Sequence, residues 1–314
     1  MKKKLVAGAV TLLSVVTLAA CANGTNKDIV TMKGDTITVS DFYDEIKTNQ
    51  GAQQVLFQMT INKVFEKEYG SKVSDKEVDK ELAKQKKQLG KQFEAYLAQQ
   101  GLTEETAKKQ IRSNMLLEYA VNQAAKKDIK ESDYKAAFES YTPEVTAQII
   151  KLDSEDKAKE VLEAAKAEGA DFAQIAKDNS TDTATKDKGG EVKFDSGTAD
   201  IPSQVKEAAF KLDENGISDV ITVSAGQNYS ASYYIVKLNK KTEKGSDWKK
   251  YEKRLKEIIV DGRKQDTNYI RSIIAKAMTN ANIKVKDDAF KSTFNQYLQN
   301  IGVQTSDSSS SSKK

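Results

Sequence analysis

The sequence predicts an α+β protein in which a small sheet with packed helices is inserted between two mainly helical segments. Three observations support this fold class. Apolar residues recur at helical spacing from Ser40 to Phe138. Pro143 ends that pattern, and apolar runs of strand length, separated by glycine-containing loops, follow it. Helical spacing returns at Ser246 and continues to Leu298. Because the two outer segments share this helical spacing of apolar residues, we expect them to pack together as one domain.

The first residues have the features of an export signal. Lysines at positions 2–4 precede an uncharged apolar run over 5–18, which is shorter than the about 20 residues of a membrane-spanning helix. The run ends in Leu18-Ala19-Ala20-Cys21, which resembles the bacterial lipobox. We therefore predict a signal peptide at 1–20 and a lipid on Cys21 that anchors the chain at the extracytoplasmic face of the cell membrane. The alternative is an ordinary signal peptide that precedes an unmodified Cys.

Composition excludes several classes of function. The chain has no His, so Ser-His-Asp triads and His-based metal sites are excluded. Cys21 is the single Cys, and its lipidation leaves no thiol for a disulfide or a nucleophile. The 50 Lys and Arg residues nearly balance 46 Asp and Glu residues, which offers no basic surface for nucleic acid. We expect no metal, no cofactor and no nucleic-acid partner.

The N-terminal segment shows a hairpin signal and a series of helix starts. Residues 29–39 alternate apolar and polar side chains around Lys33-Gly34-Asp35, which predicts a short hairpin. Side chains that accept hydrogen bonds from helix N-termini then precede helical patterns. These residues are Ser40 with Asp41, Ser74 with Glu77, Thr103, and Ser132 with Asp133.

The middle segment mixes strands and short helices. Strands are predicted at 145–152, around Val192 and Phe194, at 220–223 and at 233–238. Helices are predicted from Ser154, from Asp171 and over 202–210. This order predicts a compact domain with helices packed on a small sheet.

Five stretches of the middle segment carry a resemblance to a known family. They are Gly169-Ala170-Asp171-Phe172-Ala173-Gln174-Ile175-Ala176-Lys177-Asp178-Asn179-Ser180, Gly189-Gly190-Glu191, Ala208-Ala209-Phe210-Lys211-Leu212, Gly216-Ile217-Ser218-Asp219-Val220 and Tyr234-Ile235-Val236-Lys237-Leu238. Their order and spacing resemble a parvulin-type peptidyl-prolyl isomerase domain. With the lipobox and the flanking helices, the mature chain resembles the PrsA-type extracytoplasmic foldases.

The resemblance implies an apolar shelf and a polar cluster for binding and twisting an X-Pro bond. The substrate-binding residues implied are Val192, Phe194, Ile201, Val205 and Phe210, with Thr222 as a polar wall. The catalytic candidates implied are Gln148, Asp182 and Tyr234. Gln148 and Tyr234 stand where the family has two histidines, so we hypothesise weakened or lost isomerase activity. The alternative is that both residues only fill the sheet interior.

The resemblance also divides the chain. The predicted parts are a signal peptide at 1–20, an N-terminal helical chaperone segment at 21–142, a parvulin-like domain at 143–240, a C-terminal helical segment at 241–302 that packs with the N-terminal one, and a disordered Ser-rich tail at 303–314. Implied partners are unfolded or partly folded exported proteins and the membrane, and amphipathic outer helices allow a homodimer. Three functions stay open: a peptidyl-prolyl isomerase foldase, an isomerase-inactive holdase chaperone, and a lipoprotein receptor or adhesin.

Overall fold

The computed structural model describes residues 27–225 and 230–298. The predicted signal peptide, the predicted lipidation site Cys21 and the predicted Ser-rich tail lie outside these residues. The described residues form two compact units, 27–68 with 274–298 and 69–273. The predicted α+β class, with a small sheet between helical segments, is confirmed. The division into five parts stays a prediction.

Helices dominate both outer segments of the described chain. The first segment forms β1 Asp28–Met32, β2 Asp35–Thr38, α1 Val39–Ile46, α2 Gln50–Tyr69, α3 Asp75–Leu89, α4 Phe93–Gln99, α5 Glu104–Lys127 and α6 Glu131–Ser140. The middle segment forms β3 Val145–Leu152, α7 Glu155–Lys166, α8 Phe172–Asn179, β4 Glu191–Phe194, α9 Ser203–Lys211, β5 Ile221–Ala225 and β6 Ser230–Lys241. The last segment forms α10 Glu252–Gln265, α11 Thr267–Asn280 and α12 Lys291–Leu298. Within this described part, no helix is long and apolar enough to cross a membrane.

Side-chain caps set several helix starts. Ser74 and Glu77 form the predicted capping box of α3, and Thr103 caps α5. The prediction for α1 was wrong by two residues, because Thr38 rather than Ser40 is the cap. The Thr38 hydroxyl accepts the Asp41 amide at 3.2 Å, and the Asp41 carboxylate accepts the Thr38 amide at 2.8 Å. Both amides are therefore satisfied by a cap that lies two residues earlier than the sequence pattern indicated.

In the first unit, residues from both ends of the described chain pack together. β1 and β2 pair as an antiparallel hairpin. The Tyr43 hydroxyl donates to the Asp287 carboxylate at 2.7 Å, and the Phe57 and Phe294 rings meet edge to face at 5.4 Å.

In the second unit, α10 packs against α5 and α6. The Arg263 guanidinium fixes this contact, because it donates to the Ala125 carbonyl and to the Asp133 carboxylate, each at 2.8 Å. A helix that follows the sheet in sequence is thereby held against two helices that precede it.

The four-stranded sheet is antiparallel in the order β4-β3-β6-β5, and helices cover both of its faces. We call the face that packs against α9 the shelf face and the face that packs against α7 and α8 the back face. On the shelf face, Ala147, Ile149 and Val236 join the α9 residues Val205 and Ala209 in one buried cluster. The back-face cluster comprises Ile150, Leu152, Ala158, Val161, Ala165, Phe172, Ala176 and Ile235. Alternate residues of β3 and β6 therefore belong to different clusters, as the pleat of a strand requires.

Gly189 and Gly190 bring the loop before β4 onto the backbone of β3. Their φ angles are +66° and +78°, which side chains rarely tolerate. A Cβ on Gly190 would lie 2.5 Å from the Ile149 carbonyl oxygen, and one on Gly189 would lie 2.7 Å from the Ala173 Cβ. The Gly190 carbonyl accepts the Ile149 amide at 2.8 Å, so the loop extends the pairing of β3.

A buried ion pair joins the end of β4 to α10. Arg254 donates from Nε and Nη2 to the two Asp195 carboxylate oxygens at 2.6 and 2.8 Å, and the Tyr141 hydroxyl donates to Asp195 at 3.1 Å. The Asp195 side chain is 7% exposed and that of Arg254 is 34% exposed. Burial raises the pKa of Asp195, but hydrogen bonds from Arg254 and Thr198 outweigh burial and hold that pKa below its ordinary value.

We expect Gly190→Ala to lower the free energy of unfolding by about 3 kcal/mol, because it combines left-handed backbone strain with a clash against β3. Gly169→Ala is the matched control, since Gly169 has a φ of +75° with no atom within 4 Å of an added Cβ. That control isolates the backbone strain of about 1 kcal/mol. Urea unfolding of the two variants measures the difference, and equal losses would contradict the close approach.

We expect acid to destabilise the native chain more than the Asp195→Asn variant. The lowered pKa of Asp195 stabilises the folded state fully above about pH 4, and this contribution is lost as the pH falls through the folded-state pKa. The free energy of unfolding, measured by urea titration between pH 7 and pH 3, should therefore fall less steeply in Asp195→Asn. Asp200→Asn, at an exposed position five residues away, should keep the native slope. Identical slopes for the native chain and Asp195→Asn would refute the role of this carboxylate.

Candidate active site

The shelf face carries a partly buried apolar surface above a buried floor. Val192 of β4, Ile201 before α9 and Phe210 of α9 are partly exposed and pack on the buried cluster. Phe194 and Val205 belong to the floor, with side chains 1% and 0% exposed. The structure thus brings together all five apolar residues predicted for the substrate shelf, in two layers.

The two layers have different physical roles. A ligand can contact only atoms that solvent reaches, and among the five predicted shelf residues Val192, Ile201 and Phe210 offer such atoms. The Phe194 and Phe210 rings meet at a centroid distance of 5.8 Å with a tilt of 49°. Phe194 therefore supports the partly exposed ring of Phe210 from beneath.

Tyr234 lies on the shelf face. In β6 it is paired with Lys151 of β3 and with Ile221 of β5, and its side chain packs on the shelf cluster. Tyr234 is partly buried, so its apolar ring joins the wall of the shelf. A tyrosine hydroxyl can donate or accept a hydrogen bond at the edge of such a surface.

Gln148 is not brought together with Tyr234. Its neighbours Ala147 and Ile149 pack on the shelf face, so alternation directs Gln148 to the opposite face of β3. Its side-chain amide donates to the Gly189 carbonyl at 3.0 Å. Gln148 therefore holds the glycine loop, and its predicted catalytic role stays a prediction without geometric support.

Asp182 organises the loop between α8 and β4. Its carboxylate accepts the Ala184 amide at 3.1 Å and the Thr185 hydroxyl at 2.6 Å. Among the described residues, no hydrogen bond joins Asp182 to Gln148 or to Tyr234. The three catalytic candidates thus occupy three separate places: the loop, the back side of β3 and the shelf face.

Thr222 also lies off the shelf face. Ile221 and Val223 pack on the shelf cluster, whereas Thr222 between them is exposed and is paired with Tyr233. Ile221 and Val223 are therefore wall residues that the sequence analysis did not assign. The alternation of Ile221, Thr222 and Val223 was the signal that could have found them.

The arrangement suits binding better than proton transfer. Rotation about an X-Pro bond needs no nucleophile and no cofactor, because the planar amide only has to lose its resonance on the way to the twisted form. A surface that holds the ring and favours the twisted amide lowers that barrier. The shelf offers an apolar surface suited to this task, and Tyr234 is the polar candidate that lies beside it.

Comparison with known proteins identifies the family of the domain that carries the shelf. Residues 140–240 match the family described as Rotamase, PPIC-type PPIASE domain. The foldase protein PrsA of Streptococcus sanguinis is 62% identical over 302 residues, which cover 96% of this chain and 90% of that protein. The foldase protein PrsA of Streptococcus gordonii is 60% identical over 315 residues and covers both chains completely.

A solved structure supports the same relationship over most of the chain. The crystal structure of foldase protein PrsA from Streptococcus pneumoniae matches with a TM-score of 0.79 and 55% identity, covering 86% of this chain and 99% of that one. High identity over nearly the whole length, the matched domain and the similar structure agree. The chain therefore belongs to the PrsA foldase family and carries a PPIC-type peptidyl-prolyl isomerase domain.

Proposed function

We propose that this foldase is anchored at the extracytoplasmic face of the membrane and assists the folding of secreted proteins after their export. The observation that carries the proposal is the apolar shelf of the PPIC-type domain, which is partly open to solvent and flanked by helical segments. Such a shelf fits the proline of an unfolded client. The flanking helices fit a role in holding the rest of that client.

The mechanism follows from the two layers of the shelf. Val192, Ile201 and Phe210 hold the proline ring apolarly, while the buried Phe194 and Val205 fix their positions. An unaided X-Pro bond crosses a barrier of about 18–20 kcal/mol, and binding the twisted amide more tightly than either planar form lowers it.

Polar groups have smaller roles in this proposal. Tyr234 donates a hydrogen bond to the client backbone at the edge of the shelf, and Asp182 keeps the neighbouring loop in place. The chain has no His, so the paired imidazoles of related domains are absent. We therefore propose that the isomerase is weaker than relatives that keep both imidazoles.

The proposed anchor is the lipid on Cys21. Six residues separate Cys21 from Asp28, and a chain of that length reaches about 20 Å at most. Clients emerge at the same membrane surface, so tethering raises the local concentration of the foldase around them. The homodimer is proposed on the amphipathic outer helices alone.

Exposed apolar side chains support contact of the outer segment with unfolded clients. They concentrate early in the described chain: Ile29, Val30, Met32, Ile37, Val39, Phe42, Tyr43, Val55 and Met59. A folded protein that acts alone rarely leaves so many large apolar side chains open to water in one stretch.

A holdase without isomerase activity is the second candidate function. The observation that favours it is the separation of Gln148 from Tyr234, which keeps these two residues from forming a polar pair beside the shelf. In a holdase, the shelf binds prolines without accelerating their isomerisation. Refolding rates separate the two functions, because only an isomerase speeds a proline-limited phase.

We expect the chain to accelerate the proline-limited refolding phase of a model protein. Val192→Ser should reduce the acceleration about tenfold, because it replaces two methyl groups of the apolar contact with one hydroxyl, and losing even one methylene from such a contact costs roughly 1–3 kcal/mol. Lys193→Ser, at the exposed neighbouring position of β4, is the matched control and should keep the native rate. The chain lacking residues 143–240 should not accelerate this phase. Suppressed aggregation without acceleration, by the full and the shortened chain alike, would establish the holdase instead.

We expect Cys21→Ala to release the protein from the membrane. The substitution removes the single thiol that can carry a lipid. Fractionation of bacteria fed a labelled fatty acid measures both label and location. Label on the native chain and none on the variant is the expected result, and a variant that stays in the membrane fraction would contradict the lipid anchor.

A further inference from the structure

The loop at residues 195–198 connects the two elements that carry the shelf. Phe194 of β4 precedes it directly, and Ile201 and α9 follow it. The Asp195 carboxylate accepts the Gly197 amide and the Thr198 hydroxyl, each at 3.0 Å, which closes a tight turn. The position of this loop therefore sets the distance between the β4 part and the α9 part of the shelf.

The loop is held from inside the domain by two sets of hydrogen bonds. Lys206 of α9 donates to the Ser196 carbonyl at 2.9 Å and to the Thr198 carbonyl at 2.6 Å. The Thr142 amide donates to the Ser196 hydroxyl at 2.9 Å, and the Ser196 amide donates to the Thr142 carbonyl at 3.1 Å. These contacts fix the loop against α9 and against the start of the domain.

A third set of contacts to the loop at residues 195–198 comes from outside the PPIC-type domain. That domain ends at residue 240, whereas Arg254 lies in α10 and binds both oxygens of Asp195. Glu257, one turn along α10, accepts from Arg254 Nη1 at 3.1 Å and so orients the guanidinium. An added Cβ on Gly197 would lie 2.4 Å from Ile258, so α10 is in direct contact with the loop.

We infer that Arg254 is a positioning residue for the proline-binding shelf, through which the C-terminal helical segment controls the geometry of the isomerase domain. Asp195 is buried, and a buried carboxylate without its cation costs several kcal/mol. Without Arg254, the loop has to open so that water reaches Asp195. Opening displaces Phe194 and the start of α9, and the ligand-facing layer loses its support.

This inference rests on the proposed binding of proline at the shelf. It assigns no contact between Arg254 and the client. Four charged or titratable groups surround Asp195. Arg254 and Tyr141 donate hydrogen bonds to its carboxylate. Lys206 donates to the carbonyls of the same loop, and Glu257 accepts from the guanidinium of Arg254. Arg254 is the cation that contacts the carboxylate itself, so its removal has a specific electrostatic consequence.

The test measures binding of a fluorescent Ala-Ala-Pro-Phe peptide to the full chain, together with isomerisation of the same peptide. Arg254→Gln should weaken binding about tenfold, within the hundredfold that a misplacement of about 1 Å can cost. Arg254→Lys keeps the charge but loses the two-pronged contact, and should weaken binding about threefold. Lys256→Gln, at an exposed position of the same helix, should leave binding unchanged.

A rescue variant separates positioning from general loss of structure. Asp195→Asn combined with Arg254→Gln removes the buried charge and lets two amides hydrogen-bond to each other. Binding should therefore return to within about twofold of the native value, as expected for two directly coupled residues. If Arg254→Gln alone does not fold, Arg254→Lys and the double variant carry the comparison.

The outcomes are distinguishable. A folded Arg254→Gln variant that binds like the native chain, or a double variant as weak as the single one, overturns the inference. A native chain that binds the peptide without isomerising it removes the proposed enzymatic function, while the binding comparison still tests Arg254. Failure of the native chain to bind the peptide overturns both.

Discussion

The ion pair between Asp195 and Arg254 is the constraint on which the arrangement of the second unit depends. It links residues 59 positions apart, one at the end of a sheet strand and the other on the helix that also packs against α5 and α6. A buried carboxylate is tolerated only where its cation is fixed, so the pair forces β4, the following loop and α10 into one geometry. The neighbouring Tyr141, whose pKa is raised by burial and by the charge of Asp195, adds a donor from the chain that enters the domain.

We propose that the shelf depends on this ion pair for its shape. Its ligand-facing layer is only partly buried, and such a surface keeps its form only if the layer beneath it does not move. Phe194 supplies that support and is adjacent to Asp195 in sequence. The packing of Phe194, the turn closed by Asp195 and the ion pair with Arg254 thus involve adjacent residues of the chain. The same few residues connect the isomerase domain to the helical segment that follows it.

The chemistry of the site is mainly apolar. The family relationship establishes the isomerase domain, while the chain contains no His and its three polar candidates are separated in space. In the proposed mechanism, the domain works by preferential binding of a twisted peptide rather than by proton transfer. Such binding needs an accurately placed surface more than a particular catalytic group. If the C-terminal helical segment controls the geometry of the shelf, as we propose, a foldase can couple the holding of a client to the isomerisation of its prolines.

Much of this protein was determined by its sequence. Period-2 and helical spacings and capping residues indicated the α+β order, because these are local properties of the chain. The apolar shelf was indicated by the resemblance to parvulin-type domains, which includes the Gly189-Gly190 pair. Tertiary structure decided the rest. The run from Ala147 to Leu152 is apolar at most positions since both faces of β3 are covered, so composition did not show that Gln148 turns away from Tyr234. Nor does spacing reveal that Arg254 meets Asp195, because a buried ion pair depends on which distant surfaces pack together.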